Sequence, residues 1–370
     1  MKKFYFWAIA LSGLLLASCN KEEAIVDESL NPGAPAKMEI RLKGDVNSKA
    51  TLPNPLDESK IAKGIVFVFR GTGANPVLDG KATFDFSTLP ANPVSVAITA
   101  GPNRHVYVIA NISNEADFAG VNKLSDLYNL TNKYQLTAMR TGTNLGMSGF
   151  VQNIDASAAT TAIPVPVIVP LHFLGSQVHM DWDITAAQLL YPGFTITAAY
   201  LLNVTSQSDY FAAPGTYLSA NVNTYLRGKS DVTAFTGSYK PIAPATNTYD
   251  AALLMANLAT DKGFLANSFY VLENNSPYPT IVVLEGTYNS TVYYYPIVIN
   301  GDQNGSGVGG IVNPGDKSST VTRSNIYNVK AYISGLGNND PYEPLVKGSM
   351  NVTIVTATWN PVIFIDQEFN

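Results

Sequence analysis

One cysteine, Cys19, stands in a chain of 370 residues, and it lies close to the amino terminus. The folded part therefore has no disulfide, no cysteine-based zinc site and no thiol nucleophile. Whatever fold forms is held by packing and backbone hydrogen bonds alone. The composition permits this, since 46% of residues are hydrophobic and 14% charged, which is enough for a large core. An unbridged core of this kind favours large sheets. The net charge of -5 argues against a nucleic-acid partner, which needs a basic stripe.

The surroundings of Cys19 carry their own message. Lys2 and Lys3 open the chain, residues 4–16 are almost wholly apolar, and Leu16-Ala17-Ser18 leads with small residues into the cysteine. Charge, short apolar run and small-residue exit describe a secretory signal peptide, because the run is too short to span a membrane comfortably. A cysteine at the cut resembles a bacterial lipobox, in which the thiol is acylated and anchors the mature chain to a membrane. The plainer reading is a signal peptide with an incidental cysteine. Residues 20–36 are polar and proline-containing and read as a flexible tether. Within them, Lys21-Glu22-Glu23 is either part of the solvated tether or similar to the surface-export signal of Bacteroidetes lipoproteins.

Beyond the tether the pattern is β. Met38, Ile40 and Leu42 alternate with Lys37, Glu39, Arg41 and Lys43, the period of a half-buried strand. Residues 46–57, with Pro53 and Pro55, read as extended and exposed. Buried-strand runs follow at residues 65–69, 94–98 and 105–109, separated by turn signals such as Gly71-Thr72-Gly73 and Gly101-Pro102. Residues 114–130 break the pattern, with Phe118, Val121, Leu124, Leu127 and Tyr128 at helical spacing. Residues 165–180 return to strand, where Pro164, Pro166 and Pro170 suggest an edge or a junction between domains. Residues 184–190 read as a helical turn and residues 251–258 as a second short helix. Further strands are expected at residues 194–204, 269–272, 280–284, 292–299, 326–333, 350–359 and 362–365, with a Gly- and Asn-rich loop at 301–315. Many short strands with few helices predict β-sandwich domains.

No catalytic constellation rises above background. His105 falls in one strand, and His172 and His179 in another at an odd spacing that keeps them off a common face. No His-Glu-x-x-His, Walker loop or Gly-x-Ser-x-Gly is present, and Gly146-Met147-Ser148-Gly149 reads as a turn. Asp181 and Asp183 flank Trp182 and could hold a cation or form an acid/base pair, although a capping or solvated pair is the commoner use. Residues 301–305 are similar to a calcium loop but lack its spaced carboxylates and closing glutamate. The twenty tyrosines could suggest sugar stacking, yet Tyr293-Tyr294-Tyr295 lies in a strand and is expected to pack. The expectation is a protein that is not an enzyme and carries no cofactor and no metal.

The carboxyl half brings residues with a recognisable order: Phe269-Tyr270-Val271-Leu272-Glu273-Asn274-Asn275, Pro279-Thr280-Ile281, Tyr294-Tyr295-Pro296-Ile297-Val298-Ile299-Asn300, Arg323-Ser324-Asn325-Ile326-Tyr327-Asn328-Val329 and Ile333-Ser334-Gly335-Leu336-Gly337. Together they resemble the carboxyl-terminal half of FimA-type fimbrillins, the type V pilus subunits of Bacteroidales. Asp57-Glu58-Ser59-Lys60-Ile61-Ala62-Lys63 before a hydrophobic strand resembles the start of the mature fimbrillin. Asn351-Val352-Thr353-Ile354-Val355 with Trp359 matches the family's last strands. The likeness covers most of the chain after residue 56 and is most specific after residue 268.

That resemblance implies an all-β protein, mainly β with a few short helices, made of two transthyretin-like β-sandwich domains in tandem. It divides the chain into a lipoprotein signal peptide at 1–18, a lipidated pro-segment with a removable first strand at 19–49, an amino-terminal sandwich at 50–170 and a carboxyl-terminal sandwich with a terminal donor strand at 171–370. It also implies donor-strand exchange: a trypsin-like protease removes the first strand, and the open groove receives the last strand of another subunit. Lipidation then falls on Cys19, the removable strand on Met38, Ile40 and Leu42 as an apolar edge, and the donor on Val362, Ile363, Phe364 and Ile365. Burying the three side chains of the removable strand is worth roughly 5–9 kcal/mol, at about 1.5–3 kcal/mol each. Read without the resemblance, residues 37–44 are simply a permanent first strand.

Alignment through residues 57–63 sets the new terminus at Ala50, so the cut follows Lys49. The best-known fimbrillins are cut after arginine, and the other choice here is Arg41, inside the strand. Lys49 is preferred because it releases the whole strand and lies in an exposed stretch.

The function expected is a structural stalk subunit of a cell-surface fimbria, exported to the outer membrane as a lipoprotein precursor and supporting adhesion. Its partners would be identical or related pilin subunits, the maturation protease, the outer membrane before processing, and a receptor on a host or bacterial surface. The alternatives are a tip or accessory fimbrial adhesin of the same family, or a surface glycan-binding lipoprotein.

Overall fold

Alternation at the front of the chain and long apolar runs behind it demand different environments, and the structure supplies both. The computed structural model describes residues 33–44, 61–73, 75–86, 93–112, 114–140, 145–211, 224–242, 245–256, 258, 267–299, 321–345 and 350–358. Cys19, Lys49, Ala50, Val362, Ile363, Phe364, Ile365 and the loop at 301–315 lie outside the described residues.

The first unit contains β1 (Pro35–Gly44), β2 (Lys63–Arg70), β3 (Val77–Asp85), β4 (Val94–Thr99), β5 (Arg104–Ala110), the two-residue β6 (Tyr134–Gln135), β7 (Met147–Ile154) and β8 (Val165–Phe173). Seven of them form one row in the order β3-β2-β5-β7-β8-β1-β4. The row curls until its ends meet: a Cβ on Gly80 of β3 would sit 2.2 Å from the Ala97 carbonyl oxygen of β4. The hinge of this curl is β8. Its Val165–Leu171 stretch pairs with β1, while Phe173 and His172 pair with Met147 and Ser148 of β7. β2 and β5 are buried on both faces, which explains their unbroken apolar runs. One face meets the opposite layer, and the other is covered by a turn of 3-10 helix (Glu115–Phe118) and by α1 (Leu124–Tyr128), while α2 (Leu136–Met139) follows β6 directly in the chain. Phe118, for example, sets its ring 6.1 Å from that of Phe67, tilted by 47°.

The second unit contains β9 (Gly175–Asp183), α3 (Thr185–Leu190), β10 (Thr195–Leu202), β11 (Val204–Thr205), β12 (Gln207–Ser208), β13 (Thr224–Arg227), β14 (Thr246–Tyr249), β15 (Leu254–Met255), β16 (Ser268–Leu272), β17 (Ile281–Tyr288), β18 (Thr291–Val298), β19 (Asn325–Ile333) and β20 (Met350–Thr358). Two four-stranded sheets, β16-β9-β19-β20 and β15-β10-β17-β18, carry its core. The strand β17 shows how: Val282 and Leu284 join the main core, while Ile281 and Val283 pack into a second cluster with Tyr200, Tyr239 and Tyr342. Asn289 and Ser290 both take positive φ, 47° and 62°, so β17 and β18 join through a tight two-residue turn whose twist suits the hairpin. The expected all-β architecture, two β units in tandem with a few short helices, is what the chain adopts.

Several local expectations are corrected. Residues 114–130 form two short pieces split at Gly120, not one helix. Residues 165–180 are two strands broken at Leu174 and sent into different sheets, so His172 and His179 do not share a strand. Gly146-Met147-Ser148-Gly149 is no turn but leads into β7. Gly149 is needed there because a Cβ would approach the Pro170 carbonyl oxygen of β8 to 1.9 Å. Residues 251–258 give one 3-10 turn (Ala251–Leu253), after which Leu254 and Met255 pair with Tyr200 and Ala199 of β10. Ladder bonds to an existing sheet outweigh the weak helical preference of so short a stretch.

Candidate functional site

The first strand is the feature around which the first unit is built. Ala36, Met38, Ile40 and Leu42 are at most 2% exposed, while Lys37, Arg41 and Lys43 face solvent. The alternation read from the residues is therefore the burial pattern of β1. On one side β1 runs antiparallel to β4, from Pro35 opposite Thr99 to Ile40 opposite Val94. On the other it runs parallel to β8, from Met38 opposite Val165 to Gly44 opposite Leu171. Ala100 N–H also donates to the Ala34 carbonyl at 2.7 Å, which extends the contact beyond the strand.

This corrects the expectation of an apolar edge. β1 is an internal strand with ladder bonds on both sides, so its departure would open a slot between β4 and β8, not expose a single edge. The expectation placed β1 at the border because sequence alternation reports which face is buried and says nothing of lateral neighbours. The prolines of β8 fit this arrangement. Pro166 and Pro170 stand opposite Glu39 and Lys43, and the Pro170 carbonyl faces Gly149 of β7.

At the far end of the chain, β20 pairs with β19 in a register that runs from Asn325 opposite Thr358 to Ile333 opposite Met350. It is the last strand of its sheet and has one ladder partner among the described residues. Val362, Ile363, Phe364 and Ile365 follow β20 in the sequence and lie outside the described residues.

The other residues singled out for chemistry are engaged structurally. His105 lies in β5, with Nε2 3.0 Å from the Gly71 carbonyl and Nδ1 accepting from Asn153 N–H at 3.4 Å. His179 is 3% exposed, with Nε2 2.9 Å from Gln177 Oε1, and burial lowers its pKa from the usual 6.5. Asp183 accepts from Thr185 N–H at 2.9 Å at the start of α3, and that bond holds its carboxyl below the usual range. Asp181 lies 3.4 Å from Lys330 Nζ. Asp183 is thus engaged in a local bond at the start of α3 and Asp181 in an ion pair and a bond from Trp182 N–H, in keeping with the capping or solvated reading of the pair. Tyr294 and Tyr295 are buried in β18, and the Tyr295 hydroxyl donates to the Gly335 carbonyl at 2.8 Å. Among the described residues no group of three or more His, Cys, Asp or Glu side chains could hold a metal ion.

Sequence reasoning missed the contacts between the two units. After β11, which pairs with β13 inside the second unit, a short arm made of β12 and the residues that follow it lies against the first unit. Gln207 and Ser208 pair with Gln135 and Tyr134. Tyr210 sets its ring edgewise against Phe118 and Tyr134, and Phe211 against Tyr107. Lys133 and Asp209 form an ion pair, as do Arg140 and Asp250. The polar spacing of residues 205–209 carries no signal for this, since its meaning lies in partners distant along the chain.

The model of a family described as "Major fimbrial subunit protein (FimA)" matches residues 36–190, and that of "FimA-like major fimbrial subunit protein, C-terminal domain" matches residues 201–359. The chain is 26% identical to the major fimbrium subunit FimA type-4 of Porphyromonas gingivalis, an alignment covering 97% of this chain and 98% of that protein. Its fold is similar to that of a fimbrilin (fimA) from Porphyromonas gingivalis W83, with a TM-score of 0.65 and 22% identity over 90% of this chain and 100% of the other. It is also similar to a cell adhesion protein from Bacteroides eggerthii, with a TM-score of 0.61 and 24% identity over 90% of this chain and 99% of that one.

Proposed function

The chain belongs to the FimA-type fimbrillin family, whose members are structural subunits of cell-surface fimbriae and not enzymes, and on this basis we propose that it is a stalk subunit that polymerises by exchanging a β-strand with its neighbour. The observation that carries the reading is the seating of β1. An internal strand with four buried side chains is joined to β2 by a stretch that contains Lys49 and Ala50.

In the proposed sequence of events the precursor is exported with lipid on Cys19 and reaches the outer membrane. A trypsin-like protease cuts after Lys49, leaving Ala50 as the new terminus of two sandwiches that divide between β8 and β9, at Leu174 and not at the expected boundary of 170 and 171, which falls inside β8. The severed pro-segment, residues 19–49, then carries β1 away. An empty slot between β4 and β8 exposes apolar surface and two unpaired ladders, which proteins in water avoid. Val362, Ile363, Phe364 and Ile365 of a second copy fill it as a β-strand, with ladder bonds supplying affinity and alternate side chains supplying register. Repetition makes a homopolymer, and the finished fibre supports adhesion to a host or bacterial surface.

Amino-terminal sequencing of protein sheared from cells tests this directly. The expected start is Ala50, and a chain lacking residues 359–370 should be processed yet fail to form ladders resistant to SDS. A start at acylated Cys19 on all of the material, or fibres built as readily by the shortened chain, refutes the proposal.

A further inference from the structure

The slot described above exists only if β4 stays in place after β1 departs, and β4 has no ladder partner other than β1 among the described residues. Val94, Val96 and Ile98 anchor one face of β4 in the core, yet apolar contacts alone do not fix a strand's position along its axis. A polar device at the end of β4 does. Along β2 and β3, Val68 stands opposite Gly80 and Phe69 opposite Leu78, so Asp79 is the extra residue of a β-bulge. Bulges bend a strand and re-aim a side chain. Here the Asp79 carboxylate reaches β4, accepting from Thr99 N–H at 3.0 Å and from the Thr99 hydroxyl at 2.6 Å.

Arg104 completes the device. Its Nε lies 3.0 Å from Asp79 Oδ2, and both side chains are 3% exposed. The same guanidinium donates to the carbonyls of Thr99 (3.0 Å from Nη2), Ala100 (3.3 Å) and Pro102 (2.6 Å) and to the Thr99 hydroxyl (3.1 Å). Beside the bulge, Gly80 lets the backbone of β3 approach Ala97, where any side chain would collide. None of these bonds uses an atom of β1.

Resting on the strand-exchange reading, we infer that Asp79, Thr99 and Arg104 are positioning residues that hold β4 as the far wall of the vacated slot and so keep it receptive to a strand from a second copy. In the uncut precursor β1 staples β4 through six residue pairs, and the cluster is one restraint among several. After the cut it is a polar restraint that still holds the strand's own residues, among those described.

The test uses the full-length chain, treated with trypsin and freed of its amino-terminal fragment in mild urea, with a synthetic peptide of residues 35–44 as the probe. Thr99→Val removes the hydroxyl and keeps the shape, Thr99→Ser restores the hydroxyl, and Asp79→Asn removes the charge. Both Thr99→Val and Asp79→Asn precursors should melt as cooperative folded proteins. After the cut they should bind the peptide at least about tenfold more weakly than wild type, a difference of about 1.4 kcal/mol. Amides 94–99 should then exchange faster with solvent, and Thr99→Ser should behave as wild type. Wild-type affinity and exchange in both cut variants overturns the inference, as does failure of both precursors to fold, which would make the cluster a support of the precursor itself. A wild-type chain that never takes up the peptide overturns the strand-exchange reading instead, and the inference with it.

Discussion

Ser148 on β7 donates its hydroxyl to the Tyr210 carbonyl at 2.8 Å, across the seam between the two β units. Both residues are buried, and Arg323 donates to the same carbonyl at 3.0 Å from beside β19. One backbone oxygen thus ties a strand of the first unit, the connecting arm and the second unit together. Buried side chains from both units form one apolar cluster that runs from Ala36 to Val352.

Tyr210→Ala should remove the ring that packs on Phe118 and Tyr134 and cost about 3–5 kcal/mol. It should also separate one cooperative melt into two, visible by calorimetry. Ser148→Ala should cost about 1 kcal/mol, because Arg323 still satisfies the carbonyl.

Within β1, Ile40→Ala should destabilise the uncut precursor by about 2–5 kcal/mol, the usual cost of emptying a fully buried aliphatic site. Arg41→Ala, one residue on and facing solvent, should change stability by less than about 0.5 kcal/mol. Urea denaturation of the two precursors side by side checks both values.

Gly149→Val should cost more than about 4 kcal/mol or prevent folding. The new Cβ would meet the Pro170 carbonyl oxygen of β8 at 1.9 Å, and backbone on backbone leaves little room to yield. Soluble yield and the urea midpoint report the outcome.

His179 should make stability depend on acid. Burial holds its pKa below the usual 6.5, so the unfolded chain takes up the proton first. Its contribution is constant above about pH 6.5 and falls as pH drops from there toward the folded value, by at most about 1.4 kcal/mol per pH unit. His179→Gln should flatten that part of the melting-temperature profile between neutral and mildly acidic pH. An unchanged slope in this variant assigns the acid sensitivity to other groups.

Residues that carry local signals were legible in advance. The alternation at residues 37–43 became β1, and the apolar runs at 65–69 and 105–109 became β2 and β5, because strand period and two-sided burial are written directly in side-chain order. Asp183 appeared as a capping candidate because a carboxylate two residues before Thr185 can reach its N–H without help from elsewhere. The short helix expected at 251–258 and the turn expected at 146–149 failed for the opposite reason, since pairing with β10 and β8 decided them.

The same division holds for the candidate site. Side-chain order alone determined that Met38, Ile40 and Leu42 would be buried on one face of a strand. That β1 sits inside the row, parallel to a strand that begins at Val165 and antiparallel to one that ends at Thr99, was settled by the tertiary structure. So was the bulge that turns Asp79 toward Thr99. Burial of a face is a property of neighbouring residues, whereas lateral pairing is chosen among strands far apart in the chain, by ladder bonds and shape that no local pattern encodes.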